Sequence, residues 1–257
     1  MRTSDDPSGV TVLVNGVPSS YLDLEDPQRL AFEYMQQMAV LIERAGPRGA
    51  PLSVVHLGAA GCALARAVHA NRPGSRQVAV ELDTALPELV RTWFDLPRAP
   101  ALRIRPGDAR AQLATLPDAS ADVLVRDVFA GDRTPAHVTT LEFVQDVARV
   151  LRPGGLYLAN CADRPPLALA RAEVATLRAT FAHVGVVAEP GLLRGRGYGN
   201  VVLAATDDPW VLTAPGVERE LRSLPAPARL LVGADLVAFV GTAQPLVDPP
   251  APDDPIR

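Results

Sequence analysis

Gly58, Ala59, Ala60, Gly61 and Cys62 follow a short apolar run, Leu52 to Leu57, and precede a helical pattern opening at Ala63 with Leu64, Ala65, Ala67 and Val68. A buried strand that breaks into small residues and then a helix leaves a turn whose backbone a ligand can approach, with the unpaired amides of a helix N-terminus facing it. A second strand, Gln77 to Leu82, then delivers Glu81 and Asp83 about 20 residues after the turn, where an acid accepts hydrogen bonds from ribose hydroxyls. Gly58, Ala60, Gly61, Glu81 and Asp83 are thus candidates for holding an adenosine-containing ligand. The turn by itself is degenerate, because GAAGC lacks the full glycine fingerprint and a plain strand-to-helix connection can carry the same letters.

The elements that must position these residues continue the alternation. Strands are predicted at Leu102 to Arg105, Ala121 to Asp127 and Gly155 to Asn160, with helices at Ala109 to Ala114 and Leu141 to Leu151. That order predicts an α/β fold with an open, doubly wound parallel sheet covered on both faces, whose ligands sit outside the carboxyl ends of the strands. Ahead of the sheet, Val10 to Val14 and Tyr21 to Leu24 read as an N-terminal β-hairpin. Asp26 and Pro27 read as the N-cap and first turn of a helix carrying Leu30, Tyr34, Met38, Leu41 and Ile42. Later come a helix from Ala168 to Phe181, strands from Val184 to Ala188 and Tyr198 to Ala205, a helix from Val217 to Leu224, and an apolar stretch from Leu230 to Val240. Residues 1–50 are expected as hairpin and linking helix, 51–208 as the Rossmann-like nucleoside-binding domain, and 209–257 as an extension ending in a loose tail from Pro245. The loop GLLRGRGYGN reads either as a solvated connection or as a lid, its glycines permitting motion.

Composition removes several classes of function. The 257 residues contain no lysine, so a Walker-type phosphate loop and a pyridoxal Schiff base are excluded. A net charge of -4 without a basic cluster argues against nucleic acid as a partner. The polar, acidic start MRTSDDPSGV is no secretion signal, and no apolar run has the length of a membrane span, so a cytoplasmic protein without membrane contact is expected. Cys62 and Cys161 read as small buried thiols rather than a disulfide. His56, His69, His137 and His183 lack ligand spacing, so no metal is expected.

The segments VNGVPSSYLDLEDP, FEYMQQM, VVHLGAAGC, VAVELD, GDARAQL, DVLVRDVF, LRPGGLYLANCAD and YGNVVLAA together resemble the spermidine synthase (polyamine aminopropyltransferase) family, in its actinobacterial spermidine synthase-like branch. The resemblance covers most of the chain. It implies a class I methyltransferase-type fold with an N-terminal hairpin, a homodimer, and S-adenosylmethionine or decarboxylated S-adenosylmethionine as donor to a small-molecule acceptor, an amine. By position it implies that Glu81 holds the ribose, Asp108 and Ala109 read the adenine edge, Asp127 accepts a proton from the attacking amine, and Tyr34 lines the amine side. Phe129, Asp132 and Asn160 are further candidates for substrate contact, with Tyr157 and Asp163 ranked behind.

A sulfonium is already an activated electrophile, so this chemistry needs an unprotonated nucleophile held in line with it, and a strand-end carboxylate can draw in a cation and take its proton. Capping of the following turn is the alternative role for Asp127. The chain departs from the family in two places. The glycine turn carries no acid, and where the family has two aspartates three residues apart before a proline, this chain reads Asp127, Val128, Phe129, Ala130, Gly131, Asp132. Three functions therefore stand open: aminopropyl transfer, methyl transfer to a small molecule, and a non-catalytic nucleoside-binding module.

Overall fold

The computed structural model describes residues 7–14, 16–131 and 133–250. Strands β1 (Gly9–Val14) and β2 (Val17–Asp23) form the antiparallel hairpin. Helix α1 (Glu33–Ile42) leads into β3 (Ser53–Leu57), α2 (Ala63–Asn71), β4 (Arg76–Glu81), α3 (Leu86–Trp93), β5 (Leu102–Pro106), α4 (Ala109–Ala114) and β6 (Ala121–Arg126). There follow α5 (Leu141–Val150), β7 (Leu151–Asp163), α6 (Ala168–Arg178), β8 (His183–Ala188), α7 (Pro190–Leu193), β9 (Gly199–Thr206), α8 (Trp210–Thr213), α9 (Val217–Arg222), β10 (Arg229–Leu231) and α10 (Gly233–Val240).

The main sheet runs β10-β8-β9-β7-β6-β3-β4-β5. Apolar side chains alternate between its faces with the two-residue period of a strand. Val54, Val123, Val125, Leu156, Leu158 and Val202 pack on one side with α1, α2, α3, α8 and α9. Val55, Leu124, Tyr157, Cys161 and Leu203 pack on the other with α4, α5, α6 and α10. This is the class I methyltransferase-type, doubly wound architecture.

Three expectations are corrected. The sheet is mixed, because β9 runs antiparallel to both β7 and β8, and β10 antiparallel to β8. The link from β8 to β9 is too short for the crossover a parallel pair requires, which takes about a dozen residues or more. The first helix starts at Glu33 rather than at Asp26, after Phe32 in extended conformation. Asp23 accepts the amides of Glu25 and Asp26 and the Arg29 guanidinium, so the chain is held in a turn there. The apolar stretch from Leu230 holds β10 and α10, in keeping with a helix/strand extension. The tail is anchored as far as Asp248: Leu141 N donates to Leu246 O, Leu246 N to Thr176 Oγ1, and Asp248 N to Glu142 Oε2. Cys62 and Cys161 are free and buried, as the composition suggested. No helix among the described residues is long and apolar enough to cross a membrane.

Candidate functional site

A cavity of about 830 Å³ opens beyond the carboxyl ends of β3, β4, β6 and β7, roofed by the hairpin and the start of α1. Gly58, Ala60, Glu81, Asp83, Asp108, Ala109, Asp127, Phe129, Tyr34 and Asn160 all line it. Gly61 stands behind this lining, and Asp132 lies outside the described residues.

The turn after β3 owes its small residues to the protein's own packing. Gly58 has φ +85°, and a Cβ there would lie 2.0 Å from the Asp127 carbonyl oxygen. A Cβ on Gly61 would meet Ser20 and Leu22 of the hairpin at 2.7 and 2.8 Å. The glycines therefore let β6 and the hairpin close on the turn, where sequence reasoning reserved the space for a ligand. Ala60 and Cys62 also carry positive φ, a conformation unfavourable for residues with a Cβ and common where a site is held in a fixed shape.

Glu81 ends β4 facing this turn. Its Oε2 accepts from the Ala60 and Ala59 amides at 2.8 and 3.2 Å, and its Oε1 from the Asp83 amide. Those donors are thus engaged by a protein carboxylate. Asp83 caps the start of the following helix by accepting the amides of Ala85 and Leu86. Asp108 is the N-cap of α4, accepting from Ala111 N at 2.9 Å, and its Oδ2 lies 2.8 Å from His137 Nε2. Partial burial works against ionisation of Asp108, but the Ala111 amide and His137 outweigh it and hold the carboxyl below its ordinary value.

At the acceptor end, Tyr34 Oη donates to Asp127 Oδ2 at 2.8 Å and Asn160 Nδ2 to Oδ1 at 3.0 Å. Asp127 follows β6 directly, and its amide donates to Leu57 O, which fixes it beside the turn. Withdrawal from water raises its proton affinity above that of an ordinary carboxyl, against the opposing pull of Asn160, Tyr34 and Arg126. Tyr34, buried beside Asp127, is pushed well above the usual phenol range and stays a donor. Under this group lies a buried ion pair, Arg126 Nη2 to Glu173 Oε2 at 2.6 Å, with the same nitrogen 3.3 Å from Asn160 O.

Two second-rank candidates turn elsewhere: Tyr157 is buried on the opposite face of β7, and Asp163 accepts the Ala170 amide at the start of α6. Tyr198, Asn200, Glu33 and His137 line the cavity without having been assigned to it in sequence. Adjacency to Tyr34 was the available signal for Glu33. For His137 there was none, since its partner lies 29 residues away. Among the described residues no group of His, Cys, Asp and Glu could hold a metal ion.

The topology and this cavity define a class I methyltransferase-type protein. No family model matches the chain. A probable spermidine synthase from Corynebacterium glutamicum is 39% identical and superposes with a TM-score of 0.90, over 98% of this chain and 92% of that one. The chain belongs to the spermidine synthase family. A polyamine aminopropyltransferase of Vibrio vulnificus is 27% identical over 143 residues, 54% of this chain and 46% of its own length. The chain spans about half the length of the curated aminopropyltransferases it matches. Human methyltransferase-like protein 13 in complex with SAH, 24% identical with a TM-score of 0.60 over 74% of this chain and 92% of that one, shares the fold.

Proposed function

We propose that this protein is an aminopropyltransferase, moving the aminopropyl group of decarboxylated S-adenosylmethionine to an amine. The observation that carries the reading is the charge of the cavity. Glu33, Glu81, Asp83, Asp108 and Asp127 line it, and although all 25 lysine-or-arginine positions of the chain are arginine, none of these lines it among the described residues. Such a wall favours a doubly cationic donor and a cationic acceptor. It disfavours the carboxylate of intact S-adenosylmethionine, which would enter among acids with the Ala59 and Ala60 amides already engaged by Glu81.

In this reading Glu81 meets the ribose, Asp108 and Ala109 the adenine edge, and Phe129 the acceptor side. Asp127 draws in the ammonium of the acceptor and takes its proton, and Tyr34 and Asn160 hold the carboxylate in place. The freed amine attacks the aminopropyl carbon bonded to sulfur. The new N–C bond forms as the C–S bond breaks, its electron pair returns to sulfur, and methylthioadenosine leaves uncharged. A homodimer is part of the proposal, with mass in solution as its check.

Calorimetric titration with decarboxylated S-adenosylmethionine, the intact form and methylthioadenosine tests the donor. Tighter binding of the decarboxylated form and methylthioadenosine release with an amine are expected. Preference for the intact donor would replace this reading with methyl transfer.

A further inference from the structure

A second cavity, of about 610 Å³, lies at the rim of the sheet opposite the nucleoside cavity. Both β7 and β8 run antiparallel to β9, so they are parallel to each other, and His183, the first residue of β8, stands at the amino end of the sheet. Pairing of β10 with β8 ends where Leu231 meets Val186. The outer edge of residues 183–185 is therefore left without a strand beside it among the described residues, and α8 and the start of α10 wall the gap.

Phe181, Val184, Leu212 and Leu236 give this cavity apolar surface. Arg178, in the last turn of α6, is the one charged side chain among its described lining residues, and His183 lines it as well. Neither side chain forms a hydrogen bond or an ion pair among the described residues. The acids of the adjoining segments are engaged elsewhere: Asp207 accepts the Ala182 amide at 3.0 Å, Asp208 the Trp210 amide at 2.9 Å, and Asp235 pairs with Arg229 at 2.6 Å. The two cavities thus differ in charge, the first lined by five acids and no arginine, the second by an arginine and no acid.

A cation in the last turn of a helix complements the helix dipole, which accounts for Arg178 but not for the apolar space beside it. That space falls within the ~300–1,000 Å³ of small-molecule sites. A free guanidinium at the wall of an apolar cavity suits a carboxylate, which it can bind through two parallel hydrogen bonds, while the rest of the ligand leaves water. Asp207 and Asp208 at the same end oppose a second negative charge, so a monoanion fits better than a phosphate monoester.

We propose that this cavity binds a small apolar carboxylate, with its hydrocarbon part against Phe181, Val184, Leu212 and Leu236 and its carboxylate on Arg178 and His183. The site does not rest on the aminopropyl-transfer reading, because it lies at the other rim of the sheet from Asp127 and its binding is read without turnover.

Calorimetric titration of the full chain with octanoate, 1-octanol and octyl phosphate, of equal chain length, is the test. Octanoate is expected to saturate one site, with methylthioadenosine present or absent, and to bind about tenfold or more tighter than octanol, ~1.4 kcal/mol. Arg178→Gln should bring octanoate down toward octanol and leave octanol unchanged. Thr213→Trp, at an exposed position of the wall, should weaken both by filling the space. His183→Gln gives a further readout should either variant fail to fold, with a several-fold loss of octanoate expected. Equal affinity for octanoate and octanol overturns the proposal, as does the absence of saturable octanoate binding. So does octanoate binding that Arg178→Gln, Thr213→Trp or, in their place, His183→Gln leaves unchanged. Tighter binding of octyl phosphate than of octanoate overturns the carboxylate assignment.

Discussion

Asp127 is poised between two opposing influences: loss of water raises its affinity for a proton, and the donors Asn160 and Tyr34 favour its charged form. As a base it must be ionised, so kcat/KM is expected to rise with pH along an acidic limb above the ordinary carboxyl range. Removing either donor moves that limb higher, and a pH–rate profile of Asn160→Ala checks the sign. Asp127→Asn should lower kcat by about 10²- to 10⁴-fold with donor affinity retained, the range for loss of a general base. Tyr34→Phe removes one hydrogen bond to a charge, worth ~1.5–3 kcal/mol, and should lower kcat/KM by about 10- to 100-fold. The candidates at this scale were legible because each sits at a strand end or in the helix after the hairpin. Their pairing was not legible, since Tyr34 and Asp127 are 93 residues apart and spacing along a chain cannot say which groups meet.

Between elements, polar ties set both strength and pH response. Arg126 and Glu173 join β6 to α6 across the sheet face opposite α1, both buried. Arg126→Met leaves a buried carboxylate unpaired and is expected to cost about 3–5 kcal/mol by chemical denaturation. The double variant Arg126→Met, Glu173→Leu should recover most of that, because the pair spends much of its attraction on desolvation. His56 on β3 donates to Gln77 on β4, which donates in turn to Ala65 O of α2. Burial, only partly offset by Gln77, lowers the imidazole from 6.5 to about 4. The folded state thus refuses a proton that the unfolded chain accepts, and stability falls as pH drops from about 6.5 to about 4, by a total on the order of 3 kcal/mol. Denaturation midpoints across that window, with His56→Gln as the flat control, measure it. The elements themselves followed from apolar periodicity, whereas the delayed start of α1 depended on Asp23 collecting amides and Arg29, which periodicity does not report.

Across the whole molecule, the C-terminal segment returns to the nucleoside side of the cavity. Arg110 bonds Asp248 at 2.7 Å and the His137 carbonyl at 3.1 Å, and His137 meets Asp108. Truncation after Thr242 should weaken methylthioadenosine binding several-fold by freeing Arg110 and His137, with a smaller effect from Asp248→Asn, because a half-exposed ion pair contributes about 0–1 kcal/mol. Calorimetry on the two variants separates these effects. The proline-rich composition of this segment signalled a loose tail, since anchoring by Thr176, Leu141 and Glu142 leaves no periodic trace. The sequence by itself determined the alternation of elements, the doubly wound class, the turn after β3 and the acids at the strand ends, because burial on two faces and tight turns constrain residue type locally. Tertiary structure alone decided the antiparallel strands, the protein contacts that occupy the glycine turn, the absence of arginine among the described residues lining the nucleoside cavity, and the placing of Arg178 and His183 on a second one. Those depend on which distant segments are brought within a few ångströms, and that is a property of the folded chain rather than of any stretch of it.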